Sequence, residues 1–214
     1  MRLWIMILLL VSAPAFLFVG CSTSKINESD PASMYKDAEE DISNDHYQIA
    51  IEKLKTIKNR FPYSKYAVDA QLKIADVYFR QELYPEAATS YEAFRDLHPK
   101  HEKAGYAILQ VAKSYQLDFP GNIARDLTVV EKSLEAYYDF LRRFPEAPEA
   151  AEARKATHEI RSLLADKELY IADFYAKRNI QDSAKPRYQK IVDLFPDTAA
   201  GKSAREKLSQ MESN

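Results

Sequence analysis

Four dipeptides punctuate this chain: Phe61-Pro62, His98-Pro99, Phe144-Pro145 and Phe195-Pro196. Proline cannot continue a helix and pushes its predecessor out of the α region, so each pair ends a helical segment. Counting back from the prolines exposes a second regularity. Ala38, Ala75 and Ala172 stand 24 residues before Pro62, Pro99 and Pro196, and Ala50, Ala87 and Ala184 stand 12 before the same prolines. Leu54, Tyr91 and Tyr188 stand 8 before them. A small residue on each of two helical segments lets their backbones approach, and a large apolar residue one turn later fills the space beside the contact. A chain in this register must lay helix pairs side by side, because each pair buries its apolar face only against its neighbours.

The spacing resembles the tetratricopeptide repeat, a 34-residue helix-turn-helix unit. The second unit carries the pattern most fully, with Ala75, Tyr78, Ala87, Tyr91, Phe94 and Pro99. In the third, Ala112 and Tyr115 belong to the first helix and Tyr137, Phe140 and Pro145 to the second, with Ser133 at the second small position. Ala112 lies 33 residues before Pro145 instead of 24, so nine extra residues separate these helices. They include Asp118-Phe119-Pro120-Gly121-Asn122, which has loop composition. Ala199 to Met211 reads as the first helix of a fifth unit and is expected to close the array. The expected fold is all-α, an α-solenoid of about four to five tetratricopeptide-like helix pairs over residues 34–214. Only 4 glycines occur, one of them Gly20 in the leader, so hairpin turns have little to work with.

Ahead of the array, Arg2 precedes an apolar run from Leu3 to Val19, followed by Gly20 and Cys21, the chain's one cysteine. A charged start, an apolar stretch and a small residue before the cut describe an export signal over residues 1–20. Leu17-Phe18-Val19-Gly20-Cys21 resembles the lipobox of bacterial lipoprotein precursors, which implies lipidation of Cys21. Two readings stand beside it. The run could span a membrane, although Ser12 and Pro14 interrupt it and no basic stop follows; cleavage without lipidation would leave a free thiol. Residues 21–33 read as the lipidated cysteine and a polar, flexible tether. Removing residues 1–20 takes away only Arg2 among the charged residues, leaving 29 basic and 32 acidic side chains and a formal charge of −3. The charges alternate in sign along the chain, unlike the basic stripe that nucleic acid selects, so no nucleic-acid partner is expected.

Residues arranged for reaction chemistry are sparse in this sequence. Gly105, Gly121 and Gly201 are isolated and form no phosphate loop. His98 and His101 flank a helix-ending proline without a cysteine or second histidine pair to make a metal set, and read as exposed loop residues. Glu39, Glu40 and Asp41 read as a solvated first helical turn. The chain therefore predicts no catalytic residue, no metal and no cofactor. Tyr78, Tyr91, Tyr115, Tyr175 and Tyr188 occupy core positions of the repeats. Tyr63 and Tyr66 follow Pro62 and are candidates either for a peptide groove or for a staple across the turn.

Several longer stretches narrow the likeness. Asn59 to Tyr63, Ala70 to Leu72, Leu97 to His101, Tyr106-Ala107, Leu164 to Glu168 and Tyr175 to Arg178 resemble the BamD family, from Cys21 to about Met211. That family comprises lipoproteins of the β-barrel assembly machine in the Gram-negative outer membrane. The resemblance implies a non-enzymatic adaptor, lipid-anchored on the periplasmic face of the outer membrane. Its implied partners are a BamA-like β-barrel subunit with periplasmic domains, other lipoproteins of the machine, unfolded outer-membrane protein segments, and the membrane itself. Arg187 matches a family arginine that pairs with an acid on the barrel subunit, and Arg178 and Glu168 belong to the same docking set. Compared with that family, the chain ends before a complete fifth repeat and has a shorter third-repeat insert. Pro186 falls inside the helix carrying Arg187, which costs a hydrogen bond unless Asp182 caps that helix and places the proline in its first turn. A different tetratricopeptide-repeat lipoprotein scaffold, such as a pilus-secretin pilotin or a recruiter of cell-wall enzymes, is the alternative.

Overall fold

The computed structural model describes residues 29–213. The expected signal, Cys21 and most of the tether lie outside the described residues. Nine helices and no strand occupy the described part: α1 Pro31–Ser43, α2 Tyr47–Arg60, α3 Lys65–Arg80, α4 Tyr84–Leu97, α5 Ala104–Leu117, α6 Thr128–Arg143, α7 Ala150–Lys177, α8 Gln181–Leu194 and α9 Ala199–Glu212. Each packs chiefly on its neighbour in sequence, with α1 also touching α3 and α7 touching α9. That is the solenoid the proline register predicts.

The four helix-ending positions share one backbone geometry. Phe61, His98, Phe144 and Phe195 have φ between −132° and −127° and ψ between 45° and 56°, each donating its N–H to the carbonyl four residues back. These are C-caps outside the α region, as a following proline demands. The other end of each pair is closed by a device the sequence does not announce. Asp45, Glu82 and Asn179 have φ of 60°, 59° and 58°, and each stands 17 residues before its proline. Around Glu82, Leu83 N–H reaches Tyr78 O at 3.0 Å and Glu82 N–H reaches Phe79 O at 3.0 Å, the Schellman pairing that satisfies the last carbonyls of a helix. In the third pair a longer connection, 118–127, replaces this turn, and Gly121 takes the positive φ of 71°.

The alanine register becomes a set of seams. Ala38, Ala50, Ala75, Ala87, Ala172 and Ala184 are fully buried, and Leu54, Tyr91 and Tyr188 beside them are nearly so. Burying each such large side chain stabilises the fold by about 1.5 to 3 kcal/mol. Ser133 fills the small position in the third pair without a polar penalty, because its hydroxyl donates to Ala112 O at 2.8 Å across the seam. One core runs from α3 to α9, and a smaller cluster of Met34, Ala38, Leu54, Ile57, Ala70 and Ile74 holds α1, α2 and α3; Tyr78 packs against both.

Two features differ from expectation, and one helix is unusually long. The tether does not extend to Ser33: Asp30 accepts hydrogen bonds from Ala32 N at 3.2 Å and Ser33 N at 3.1 Å, and Pro31 starts α1. The acidic trio Glu39, Glu40 and Asp41 sits in the second half of α1, not its first turn. There it pairs across helices, Lys53 bonding Asp37 and Asp41 and Lys73 lying 3.3 Å from Glu39. Finally, α7 runs for 28 residues, about twice the usual helix of this chain, so one helix packs on α6 with its first half and α8 with its second.

Candidate partner-docking site

The second half of α7 and the whole of α8 pack through Ala172, Ala184, Tyr188 and Ile191, all buried. Residues three and four apart share a helix face, so Glu168 and Tyr175 border this seam on the side of Ala172. Glu168 reaches across it: Oε2 lies 3.3 Å from Arg187 Nη1 and Oε1 lies 2.6 Å from Lys190 Nζ. Its side chain is 18% exposed, whereas that of Arg187 is 38% exposed. One sheltered carboxylate thus orients two cations whose outer faces meet solvent. The Arg187 guanidinium also lies 5.5 Å from the centre of the Tyr175 ring. Two cations over one carboxylate leave net positive charge at a half-buried spot, where a partner carboxylate can be taken by the remaining N–H donors of the guanidinium.

Arg178 is not in that cluster. It caps α7 and stacks 3.6 Å from the centre of the Phe174 ring one turn back. Phe174, Tyr170 and Ile180 are exposed apolar side chains of the same region, which adds a hydrophobic patch to the cations. Of the three residues expected to form one docking set, the structure joins Glu168 to Arg187 and places Arg178 on the adjacent turn. Asp182 does not cap α8: Ile180 holds the N-cap position without a side-chain hydrogen bond, and Pro186 lies inside the helix. Its missing N–H leaves the Asp182 carbonyl without a helical donor, but Asp182 is exposed and water reaches it. Pro186 lines a shallow depression of about 330 Å³ with Tyr175, Asp182, Ser183, Arg187 and Lys190.

The tyrosines supply a polar regularity that the repeat pattern did not disclose. Tyr91 donates to Asp76 at 2.7 Å and Tyr188 to Asp173 at 2.6 Å, and both aspartates stand 23 residues before their proline. Tyr106 adds a 2.9 Å bond to Asp76, and Lys207 of α9 closes on Asp173 at 2.5 and 2.6 Å. Burial raises the Tyr106 hydroxyl pKa to about 12 and pushes that of Tyr188 up as well. Burial also works to raise the pKa of Asp173, but the bonds from Lys207 and Tyr188 outweigh it and hold the carboxyl below its ordinary value. The Ala-Asp dipeptides 75–76 and 172–173 are the signal that could have revealed this pairing.

The other candidates resolve differently. Tyr66 packs against the first core cluster with its ring 5.7 Å from Tyr35 of α1, while Tyr63 stands in solvent at 102% exposure. His98 is half-buried, not exposed: its ring lies 5.1 Å from Phe94, its Nε2 is 3.2 Å from Gln71 Oε1, and burial lowers its pKa. Among the described residues no group of three or more histidine, cysteine or acidic side chains is placed to hold a metal. A groove of about 640 Å³ opens between α5, α6 and α7, with Leu117, Phe119, Val130, Tyr137, Ile160 and Leu163 as apolar lining. Among the described residues no helix is long and apolar enough to cross a membrane.

Residues 27–214 match the protein family YfiO, described as outer membrane lipoprotein. The chain belongs to that family. The outer membrane protein assembly factor BamD of Vibrio cholerae is 27% identical over 202 residues, covering 89% of this chain and 83% of that one. The protein of the same name from Neisseria meningitidis serogroup A is 27% identical over 174 residues, covering 77% of this chain and 65% of its own length. A tetratricopeptide repeat protein from Parabacteroides merdae is similar in structure at a TM-score of 0.45, with 16% identity over 86% of this chain and 73% of that chain.

Proposed function

We propose that this YfiO-family chain is a non-enzymatic adaptor in outer-membrane protein assembly, anchored through lipidated Cys21 on the periplasmic face of the outer membrane. It docks with Arg187 on a carboxylate of a BamA-like β-barrel subunit. The observation that carries the reading is the cluster in which Glu168 fixes Arg187 and Lys190 while leaving the guanidinium open on one side. Arg178 and the exposed Phe174 and Ile180 extend the contact. The names of the relatives support the assembly role. Unfolded outer-membrane protein segments, rich in alternating apolar residues, fit the groove between α5, α6 and α7, whose lining is apolar and whose rim carries the Lys113 to Glu152 ion pair at 2.9 Å.

The test compares Arg187→Ala with Arg187→Glu in tagged protein recovered from detergent-extracted membranes. Truncating a charge that is buried and paired on binding costs roughly 2 to 5 kcal/mol, and reversal adds repulsion. Recovery of the barrel subunit should fall with Arg187→Ala and fall further with Arg187→Glu, at unchanged helicity. Wild-type recovery with Arg187→Glu removes the docking role from this residue, and absence of any barrel subunit with the wild-type protein removes the whole reading.

A further inference from the structure

The four turns that follow the helix-ending prolines have the same place in each repeat but not the same charge. Within four residues of Pro62 lie Lys58, Arg60 and Lys65 and no acid; around Pro99 lie Arg95, Lys100 and Lys103 with Asp96 and Glu102. Around Pro145 two arginines meet two glutamates, and around Pro196 only Asp193 and Asp197 are charged. Formal charge therefore falls from +3 through +1 and 0 to −2 along the array. The first turn has no acid beside its cations, whereas Lys100 and Lys103 of the second turn, exposed and likewise without a salt bridge, have Asp96 and Glu102 next to them. Lys58, Arg60 and Lys65 are exposed, and among the described residues none forms a salt bridge, whereas Arg95, Arg142 and Arg143 each pair with an aspartate. Arg60 and Lys65 lie instead against aromatic rings, 5.5 Å from Phe61 and 5.1 Å from Tyr66. At the tip Tyr63 is 102% exposed, the most exposed large hydrophobic side chain among the described residues.

This turn lies at the end of the array where the chain enters. Met34, in the first turn of α1, shares a core cluster with Phe61 and Tyr66, and the rings of Tyr35 and Tyr66 are 5.7 Å apart. Asp30 caps α1 at that end, and only nine peptide links separate it from Cys21. Fully extended, nine links reach at most about 32 Å. Aromatic side chains with a polar tip and long basic side chains are the residues that settle at a membrane–water interface, the ring at headgroup depth and the cations on anionic phosphates. A lipid chain and a basic patch together hold a protein where either alone is weak.

We propose that the α2–α3 turn is a membrane-contact surface: Lys58, Arg60 and Lys65 bind anionic phospholipid headgroups, and Tyr63 enters the interface between them. The proposal rests on the reading of Cys21 as the anchor point, and it fixes which end of the solenoid faces the bilayer. The acidic turns at Pro145 and Pro196 are then held away from that anionic surface, and the docking face on α7 and α8 is left for a protein partner.

Trp4 is the chain's one tryptophan and lies in the expected signal, so Tyr63→Trp gives the mature chain a single reporter. The mature chain is coupled through Cys21, its one thiol, to a maleimide lipid in vesicles, which makes the test independent of natural lipidation; that is checked separately by the mass of the native N-terminus. In vesicles containing brominated phosphatidylglycerol, the indole emission of Tyr63→Trp should shift to shorter wavelength and be quenched. In phosphatidylcholine vesicles with the same bromine content the quenching should be weaker by at least about twofold, since each basic side chain contributes only near an anionic surface. Lys58→Gln, Arg60→Gln and Lys65→Gln together should remove that difference. Lys185→Gln, Lys202→Gln and Arg205→Gln, the same charge loss at the other end of the array, should leave it intact. Unshifted, unquenched emission in both vesicles overturns the proposal, as does quenching indifferent to the first triple substitution. Emission that responds instead to a C-terminal segment of an outer-membrane β-barrel protein, with no vesicles present, assigns the turn to peptide binding and also overturns it.

Discussion

Gly201→Ala sets two physical effects of opposite sign against each other. Gly201 is the third residue of α9, and glycine-to-alanine inside a helix stabilises by up to about 1 kcal/mol. The tertiary contact argues the other way. A Cβ built on Gly201 would lie 2.1 Å from Phe195 O, 3.0 Å from Phe195 C and 3.2 Å from Pro196 Cα, all backbone atoms. Relieving the closest contact requires a shift of more than about 1 Å, since carbon-to-oxygen contacts settle near 3.3 Å. The turn cannot give that freely. Phe195 O already accepts from Thr198 Oγ1 at 2.8 Å and from Thr198 N at 3.2 Å, and Thr198 Oγ1 accepts from Gly201 N at 3.0 Å. Overpacking costs about 1 to 3 kcal/mol and straining one of these hydrogen bonds about 1 kcal/mol, which the helical gain of up to about 1 kcal/mol offsets, so the expected net loss is about 1 to 3 kcal/mol. Gly105→Ala is the control, because there the three atoms nearest the added carbon all belong to the Phe144 ring, at 3.2 to 3.3 Å, and a ring can yield by tenths of an ångström. Urea melts followed by circular dichroism, with amide exchange to locate the loss, should show Gly201→Ala less stable. Protection should be lost first in α9, because a solenoid unit is held only by its neighbours. Gly105→Ala should stay within about 1 kcal/mol of wild type. If Gly201→Ala melts at or above the wild type, α9 is not seated on the Phe195-Pro196 turn.

The remaining tests address seams, titration and anchoring. Ala87→Arg drives a long cation into the fully buried α3–α4 seam and should cost several kcal/mol, abolishing cooperative thermal melting; a near-wild-type melting temperature would contradict the seam. Asp173 has a folded pKa below its unfolded value of about 3.9, so its contribution is present above about pH 4 and disappears as pH falls through the folded pKa. Asp173→Asn should therefore lower stability in urea at pH 7, with a deficit that shrinks on acidification below about pH 3; a deficit independent of pH would deny the Lys207 pairing its role. Cys21→Ser should yield a form that no longer fractionates with the outer membrane, and an unmodified N-terminal cysteine in the mass spectrum of the mature wild type would contradict lipidation.

The family match over residues 27–214 and the all-helical architecture agree with a register that is legible in one dimension. Helix-ending prolines and seam alanines act through local backbone geometry and close approach, and both leave a residue type at a fixed offset. Ala38 to Pro62 and Ala172 to Pro196 could be aligned without knowing what touched what. The nine-residue excess in the third unit likewise marked the 118–127 connection. Other features carried no such trace. The positive-φ turns at Asp45, Glu82 and Asn179 lack glycine, so their regularity is one of offset and not of residue type. The length of α7 was hidden because nothing in Ala150–Lys177 says whether two helical patterns join or break.

The site divides along the same line. Sequence alone nominated Arg187, Arg178 and Glu168 by resemblance, but only packing decided that Glu168 lies between Arg187 and Lys190 while Arg178 stacks on Phe174. It likewise separated Tyr66, packed against the first core beside Tyr35, from Tyr63 in open solvent. The physical reason is range. A cap, a breaker or a small residue in a seam answers to neighbours within one helix pair, so the chain records it at a constant spacing. Whether a charge is paired, or a ring buried, depends on side chains from other helices that meet it only after the array has stacked.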